Sequence, residues 1–314
     1  MLHRVLPQNK REMYTYNRSL SISPEALDQY IIDFKNKGYD LISMDEVLNR
    51  IENPTKKKFI AFTIDDGYKD NLEFGLPVFE KHDVPVTVYV TTCFPEMKAI
   101  YWWYFLESFL SVSETLDLTS LGIDFKLEGL IDEDEKEKAY HKAAGLIKPL
   151  SYESHLKFVT EICGINSADL LKSNKENNMS WDDVVDLNNS PLVSIGAHTL
   201  DHLSLKSQKS AVSENQISKS ISILEDKLGQ KIKHFAYPYG SLEDAGKREF
   251  GVLENLKIKS GVFNHPGSIF KDHKLNPYQI PRIGLCDETK EERLDAFFSG
   301  KLHFGFNGLN KIVG

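Results

Sequence analysis

Two adjacent carboxylates, Asp65 and Asp66, are the first residues of this chain whose types and placement could support chemistry. They follow an apolar, uncharged run at residues 59–64 and precede Gly67, which permits a sharp turn. Because neighbouring strand residues point to opposite sides, one carboxylate could bind a metal while the other moves a proton. A plain Asp-Asp-Gly turn ahead of a helix has the same sequence, so this stretch alone leaves both interpretations open.

The histidines His198 and His202 are a second candidate, because they are spaced i, i+4. On a helical turn this spacing puts both imidazoles on one face, a common geometry for two ligands of one metal. Two hydrogen-bonded structural histidines would show the same spacing. A third polar stretch, at residues 237–240, reads Tyr-Pro-Tyr-Gly.

The elements that must position these residues alternate between strands and helices, which indicates a parallel α/β sheet, open or closed into a barrel. Strands are predicted at residues 2–6, 39–42, 59–64, 84–90, 192–195, 234–236, 260–263 and 279–283. The alternation stops after residue 95, and a helical insertion is predicted at about residues 96–178 of a single domain, residues 1–314. Trp102 and Trp103 open this insertion and are predicted to lie in its core, with a sugar-stacking wall as the alternative.

The carboxylates, the histidines and residues 237–240 each follow directly after a predicted strand. In a parallel sheet or barrel the carboxyl ends of the strands share one rim, where active sites lie. One carboxylate and two imidazoles on that rim make a three-ligand site that leaves a position for water, as in catalytic zinc sites. The second carboxylate can then accept the proton of that water.

Composition narrows the class of protein. The chain has 314 residues, 41% hydrophobic and 27% charged, which is ordinary for a soluble globular enzyme. Its net charge of −8 argues against a nucleic-acid partner, and no apolar run approaches the roughly 20 residues of a membrane span. Three isolated cysteines and the lack of a signal-peptide pattern near the first residue predict a cytoplasmic protein. The sequence does not predict an oligomeric state.

Three motifs, in this order and spacing, resemble those of the polysaccharide deacetylase (NodB-homology) family, carbohydrate esterase family 4. They read Thr63-Ile64-Asp65-Asp66-Gly67-Tyr68, His198-Thr199-x-x-His202 and Phe235-Ala236-Tyr237-Pro238-Tyr239-Gly240. The resemblance extends from residue 2 to about residue 285, except for the helical insertion. It implies a distorted (β/α) barrel of the NodB-homology type that removes an acetyl group from an N-acetylated sugar.

The resemblance also implies roles for individual residues. Asp65 would be the general base, and Tyr239 would stabilise the oxyanion through its backbone N–H. The implied metal ligands are Asp66, His198 and His202. Zinc is the expected divalent ion, although nickel or cobalt would also suit these ligands.

The chain departs from the family pattern at two places. Ala236 replaces the arginine usual two residues before the proline of the third motif, and the usual C-terminal Leu-x-His motif is not visible. The chain instead resembles the rearranged branch that includes poly-N-acetylglucosamine deacetylases, whose first strand carries a histidine. Here that residue is His3, which is predicted as the general acid in preference to His265. Arg282 is predicted to orient Asp65, with a surface arginine at a strand end as the alternative.

The expected function is metal-dependent removal of an N-acetyl group from an amino sugar of a cell-surface glycan or its precursor. A metal-dependent phosphoesterase is one alternative, but it would need further carboxylates and basic groups near these motifs. A catalytically inactive carbohydrate-binding relative is another, but an intact base and ligand set argues against it. A cytoplasmic location would make the substrate a precursor, such as a nucleotide- or lipid-linked sugar.

Overall fold

A computed structural model describes residues 1–10, 15–308 and 310–312 of the chain. Its strands are β1 (Arg4–Val5), β2 (Ser21–Ile22), β3 (Asp40–Leu41), β4 (Phe59–Ile60), β5 (Phe62–Asp66), β6 (Val86–Val90), β7 (Thr115–Asp117), β8 (Lys126–Glu128), β9 (Val193–Ala197), β10 (His234–Ala236) and β11 (Ser260–Val262). Its α-helices are α1 (Thr15–Arg18), α2 (Pro24–Asn36), α3 (Met44–Glu52), α4 (Leu76–Lys81), α5 (Trp102–Val112), α6 (Glu133–Ile147), α7 (Tyr152–Lys157), α8 (Ser167–Asn177), α9 (Trp181–Asn189), α10 (Ser210–Leu228), α11 (Lys247–Asn255), α12 (Glu291–Phe298) and α13 (Lys301–Asn307).

Five strands form one parallel sheet in the order β11-β10-β9-β6-β5. β5 and β6 pair from Phe62 with Val86 to Asp66 with Val90, and every residue of both strands is buried. A parallel sheet covered on both faces favours such continuous runs of buried residues, which explains the apolar sequence of these strands. The register places the carboxylates that end β5 on the rim formed by the carboxyl ends of the strands.

Two short segments extend this sheet at its edges. Leu2 forms a parallel bridge with Ile64 of β5, and Ile280 forms one with β11. The nitrogen of Met1 donates a hydrogen bond of 2.8 Å to the carbonyl of Ile283, so residues 1 and 2 join the two edges. The sheet and these segments form the distorted (β/α) barrel that the sequence predicted.

The main hydrophobic core lies between the sheet and the helices around it. Phe62 and Ile64 of β5 belong to this core, together with apolar residues of α2, α4, α9 and α10. Because strand residues alternate between faces, Thr63 and Asp65 point to the inner face of the barrel. A second cluster fills that inner face, where Met44 of α3 lies with Tyr89 of β6.

Residues 96–178 pack around another hydrophobic core, to which Tyr68, Cys93 and Phe94 outside the insertion also contribute. This insertion contains α5, α6, α7 and α8, and it also contains an antiparallel hairpin of β7 and β8, which the sequence analysis did not predict. In β7, Leu116 is buried between the exposed Thr115 and Asp117, because only one face of the hairpin packs against the insertion core. Within the described ranges, no helix is both long and apolar enough to cross a membrane.

One predicted strand is divided in the structure. The strand expected at residues 59–64 consists of β4, which pairs with β3, and of β5, which begins after Ala61. The helical segment after β5 is also divided, because it begins with a π-helical segment, Asn71–Gly75, and continues as α4. Pro77 lies in the first turn of α4, where its missing N–H needs no partner.

Candidate active site

The side chains of Asp66, His198 and His202 meet at the rim of the barrel. Their ligand atoms all lie within 4.8 Å of one another, and all three residues are buried. Asp66 Oδ1 is 3.4 Å from His198 Nε2 and 3.3 Å from His202 Nε2. The structure therefore brings together the three residues that were predicted as metal ligands, although their role as ligands stays a prediction.

The two histidines lie in an irregular loop after β9 and not on a helical turn. The loop bonds to the segment after β6, where the Thr92 N–H donates to the Thr199 carbonyl at 3.1 Å. It also bonds within itself, because the His202 N–H donates to Thr199 Oγ1 at 3.1 Å. Thr199 and His202 have positive φ angles of 68° and 54°, which non-glycine residues adopt only when the surroundings hold them there. These two bends, rather than helical spacing, direct both imidazoles at Asp66.

The hydrogen bonds of His198 indicate what can lie between it and Asp66. Its Nδ1 donates to the Ala236 carbonyl at 2.8 Å, which leaves the Nε2 lone pair facing the carboxylate. A lone pair and a carboxylate oxygen at this distance repel unless a proton or a cation lies between them. Asp66 Oδ1 is buried and accepts no hydrogen bond from the described residues. This donor set fits a divalent cation.

The charge states of Asp66 and His198 are consistent with this arrangement. Burial alone would raise the pKa of Asp66, but His202 and His198 bring that pKa well below its usual value. Burial alone would lower the pKa of His198, but Asp66 and Asp65 raise that pKa. Asp66 is therefore a carboxylate, and its surroundings favour positive charge.

Asp65 is held by Arg282 through two parallel hydrogen bonds. Nη1 and Nη2 of Arg282 each donate to one carboxylate oxygen at 2.6 Å, and the same guanidinium also bonds to Thr63 Oγ1 and the Phe263 carbonyl. Burial alone would raise the pKa of Asp65, but Arg282 and then His198 lower that pKa, so Asp65 stays ionised. Arg282 is only 7% exposed, which excludes the alternative of a surface arginine.

Tyr89 packs its ring against the guanidinium of this ion pair, and the sequence analysis did not identify this tyrosine. The Cζ atom of Arg282 lies 5.6 Å from the centre of the Tyr89 ring. Across the sheet Tyr89 pairs with Asp65 on one side and Gly196 on the other. A Cβ at Gly196 would lie 2.4 Å from the Tyr89 ring, so this glycine makes room for the ring. The register of three parallel strands is the signal that would have found this contact.

His3 lies within electrostatic range of the two carboxylates, whereas His265 is bonded elsewhere. The pKa of His3 is lowered by burial, with Asp66 and then Asp65 opposing this shift, which puts the imidazole in electrostatic range of both. His265 Nε2 is 2.8 Å from Asn307 Oδ1 of α13, which orients that ring toward the end of the chain. The structure thus brings His3 to the site, and its role as general acid stays a prediction.

Tyr239 lies at the same rim and is surrounded by aromatic residues of the insertion. Its φ angle is 59°, and its ring centre is 4.7 Å from that of His202. Trp102 Nε1 donates to the Tyr239 hydroxyl at 3.0 Å, and the Trp103 ring centre is 5.2 Å from that of His202. Both tryptophans are buried in the insertion core, as predicted, but they also contact the site, which the sequence did not reveal.

Several residues of this site lie in segments that match the model of a known protein family. The family model described as polysaccharide deacetylase matches residues 52–108 and 159–253, which include Asp65, Asp66, His198 and His202. The chain belongs to the polysaccharide deacetylase family. Its reaction is the removal of N-acetyl groups from glycans by hydrolysis of an amide bond. The unmatched residues 109–158 lie within the insertion of this polysaccharide deacetylase.

Solved structures share the fold of this polysaccharide deacetylase. Deacetylase PplD from Streptococcus pyogenes, in complex with acetate, has a TM-score of 0.57 at 18% identity, covering 94% of each chain. A de-N-acetylase from Aggregatibacter actinomycetemcomitans has a TM-score of 0.54 at 13% identity, covering 94% of this chain and 97% of that one. IcaB from Ammonifex degensii has a TM-score of 0.55 at 15% identity, and the match covers 94% of this chain and 93% of that one. No curated protein sequence matches the chain.

Proposed function

We propose that Asp66, His198 and His202 hold one divalent ion and that this ion is zinc, with nickel or cobalt as ions that the same ligands would accept. The observation that carries this proposal is the Asp66 Oδ1 atom, which faces two imidazole Nε2 atoms and accepts no hydrogen bond from the part of the chain that the structure describes. A bound divalent ion lowers the pKa of water and polarises a carbonyl oxygen.

The remaining residues divide the proton transfers of amide hydrolysis between them. Asp65, kept ionised and oriented by Arg282, takes the proton of the attacking water. The backbone N–H of Tyr239 donates to the oxygen that gains negative charge as the water adds to the acetyl carbon. His3 gives a proton to the leaving nitrogen as the carbon–nitrogen bond breaks, which yields acetate and a free amine. The resemblance to the branch with a first-strand histidine supports this assignment.

The proposed substrate is an N-acetylated amino sugar in a cytoplasmic precursor of a cell-surface glycan, linked to a nucleotide or a lipid. All three cysteines are free, which suits a reducing compartment. Only one group of three metal-ligating residues is found in the described part of the chain. A second metal site, which a two-metal phosphoesterase would need, therefore has no support among those residues.

Acetate release from N-acetylated sugars, measured with and without a chelator, tests this function. The deacetylase should release acetate in zinc and stop after chelation. Nucleotide-linked, lipid-linked and polymeric substrates are compared in parallel, with a phosphate ester as the phosphoesterase control. Phosphate release without acetate release would support the phosphoesterase, and sugar binding without either product would support the inactive relative.

A further inference from the structure

A slot in the barrel wall lies farther from the catalytic rim than the closure made by residues 1 and 2. Those residues join the two edges of the sheet close to the catalytic rim. Farther from that rim, no main-chain hydrogen bond joins residues 59–63 to residues 280–283 within the part of the chain that the structure describes. The two edges face each other there across a cavity of about 390 Å³.

The walls of this cavity are mainly apolar and aromatic. They include Phe34, Tyr39, Met44, Phe59, Ile280 and Phe298. The Tyr39 and Phe298 rings are 5.1 Å apart, and the Phe34 and Phe298 rings are 5.6 Å apart, so one wall is a packed aromatic surface. The volume falls within the range of roughly 300–1,000 Å³ that is usual for sites of small ligands.

The inner end of the cavity is formed by Thr63 and Arg282, which also hold the proposed base. The guanidinium of Arg282 already donates to Asp65, Thr63 and the Phe263 carbonyl. Because its positive charge is paired with Asp65, this end does not require a charged group from a ligand. An apolar chain end is therefore suited to the inner part of the cavity.

The mouth of the cavity is basic. Lys56, Lys57 and Lys58 line it and are exposed. Lys57 forms an ion pair with Asp40, and Lys58 Nζ lies 6.0 Å from the centre of the Tyr39 ring, above the aromatic wall. Three cations beside one carboxylate favour a negatively charged group at this opening.

We propose that the cavity binds an amphipathic anion, with one unbranched alkyl chain in the slot and a phosphate or carboxylate head at the lysines of the mouth. The apolar walls exclude a ligand that is polar along its length. The lysines select the sign of the head group. The cavity shares Thr63 and Arg282 with the catalytic site, but its occupancy can be measured without turnover.

Titration of the whole protein with decyl phosphate, below the concentration at which it forms micelles, tests the site by calorimetry. Saturable binding at one molecule per chain is expected, and decanoate should also bind, because both carry an anionic head. Decyltrimethylammonium should bind about tenfold more weakly, and inorganic phosphate should not bind measurably. Equal binding of the cationic and anionic chains, or no saturable binding of decyl phosphate, would overturn the proposal.

Variants locate the binding in this cavity. Ala61 lines the slot, and Ala61→Phe should fill it and weaken decyl phosphate binding by about a hundredfold while acetate release persists. The double variant Lys56→Glu/Lys58→Glu should weaken it by about tenfold, whereas Lys172→Glu/Lys175→Glu on α8 makes the same charge change and should not. If Ala61→Phe fails to fold, the two lysine pairs decide, and equal effects from both pairs would place the ligand elsewhere.

Discussion

The barrel and the insertion both contact His202, but they act on it in different ways. The barrel fixes the position of its backbone, through the bent loop after β9 and the hydrogen bonds of that loop to the segment after β6. The insertion contacts its side chain, through the ring of Trp103. The chemistry of the site therefore belongs to the barrel, and the insertion supplies the apolar surface around it.

The same difference explains which part of the chain is recognisable from its sequence. A metal ligand or a base must be one of a few residue types at one position on a rim. An apolar wall can be built from many combinations of aromatic residues. The family model matches the segments that carry Asp65, Asp66 and the two histidines, and it leaves residues 109–158 of the insertion unmatched. It also leaves unmatched residues 1–51 and 254–314, which carry His3 and Arg282.

The largest expected effect distinguishes Asp66 from Asp65 by the zinc content and turnover of their variants. Asp66→Asn should lower bound zinc below about a tenth of an equivalent and abolish acetate release, because a carboxylate ligand is lost. Asp65→Asn should keep the zinc and lower turnover by about 10²–10⁴, because only the base is removed. Metal analysis and initial rates are measured on both variants. Zinc loss in Asp65→Asn alone would show that the two roles are exchanged.

A second test asks whether the segment that closes the barrel takes part in the chemistry. His3→Ala should bind zinc normally and lose deacetylation by about two or more orders of magnitude, because the leaving nitrogen loses its proton donor. His265→Ala is the matched control and should keep most of its activity, since that ring is bonded to Asn307. Wild-type turnover in His3→Ala would contradict the assignment.

The stability of the protein should depend on pH through His155 of the insertion, which is buried and stacks on Trp102. Burial lowers the pKa of His155 from 6.5 to about 4, so the unfolded chain takes up a proton at a higher pH than the folded one. Stability is then complete above pH 6.5 and falls as the pH drops toward 4, by up to about 3 kcal/mol.

Denaturant unfolding of His155→Gln across this pH range is the measurement. Glutamine can still donate to the Ile147 carbonyl, which His155 Nε2 contacts at 2.9 Å, but it does not titrate. The variant should lack the part of the pH dependence that His155 causes. An unchanged difference between pH 7 and pH 4.5 would show that this histidine is not the source.

The smallest effect is expected where the insertion contacts Tyr239. Trp102→Phe keeps an aromatic ring but removes the hydrogen bond to the Tyr239 hydroxyl. Loss of one such bond is worth about 1 kcal/mol, so kcat/KM should fall by about fivefold with the zinc content unchanged. A loss as large as that of Asp65→Asn would mean that the insertion does more than shape the surface.

Sequence reasoning found the polar residues because strand ends identify the rim of a parallel barrel. Asp65 and Asp66 end β5, and the two histidines follow β9, so their convergence follows from topology alone. The backbone that achieves it is not the helical turn that the i, i+4 spacing suits, because left-handed residues such as Thr199 are held by bonds to another segment. The contact of Trp103 with His202 depends on how the insertion packs, which no local pattern encodes.

The closure of the barrel by residues 1 and 2 has a consequence for the order in which function appears during folding. Leu2 contacts Ile64, and Met1 bonds to Ile283, so the loop between the joined segments spans almost the whole described chain. Contacts of such long range form late, because they require the rest of the chain to be ordered first. His3 follows directly after this closure, whereas Asp66 ends β5 and His198 and His202 follow β9, and both of these strands pair with β6. In refolding we expect zinc binding to recover before acetate release, and recovery of both at one rate would show that the barrel closes in a single step.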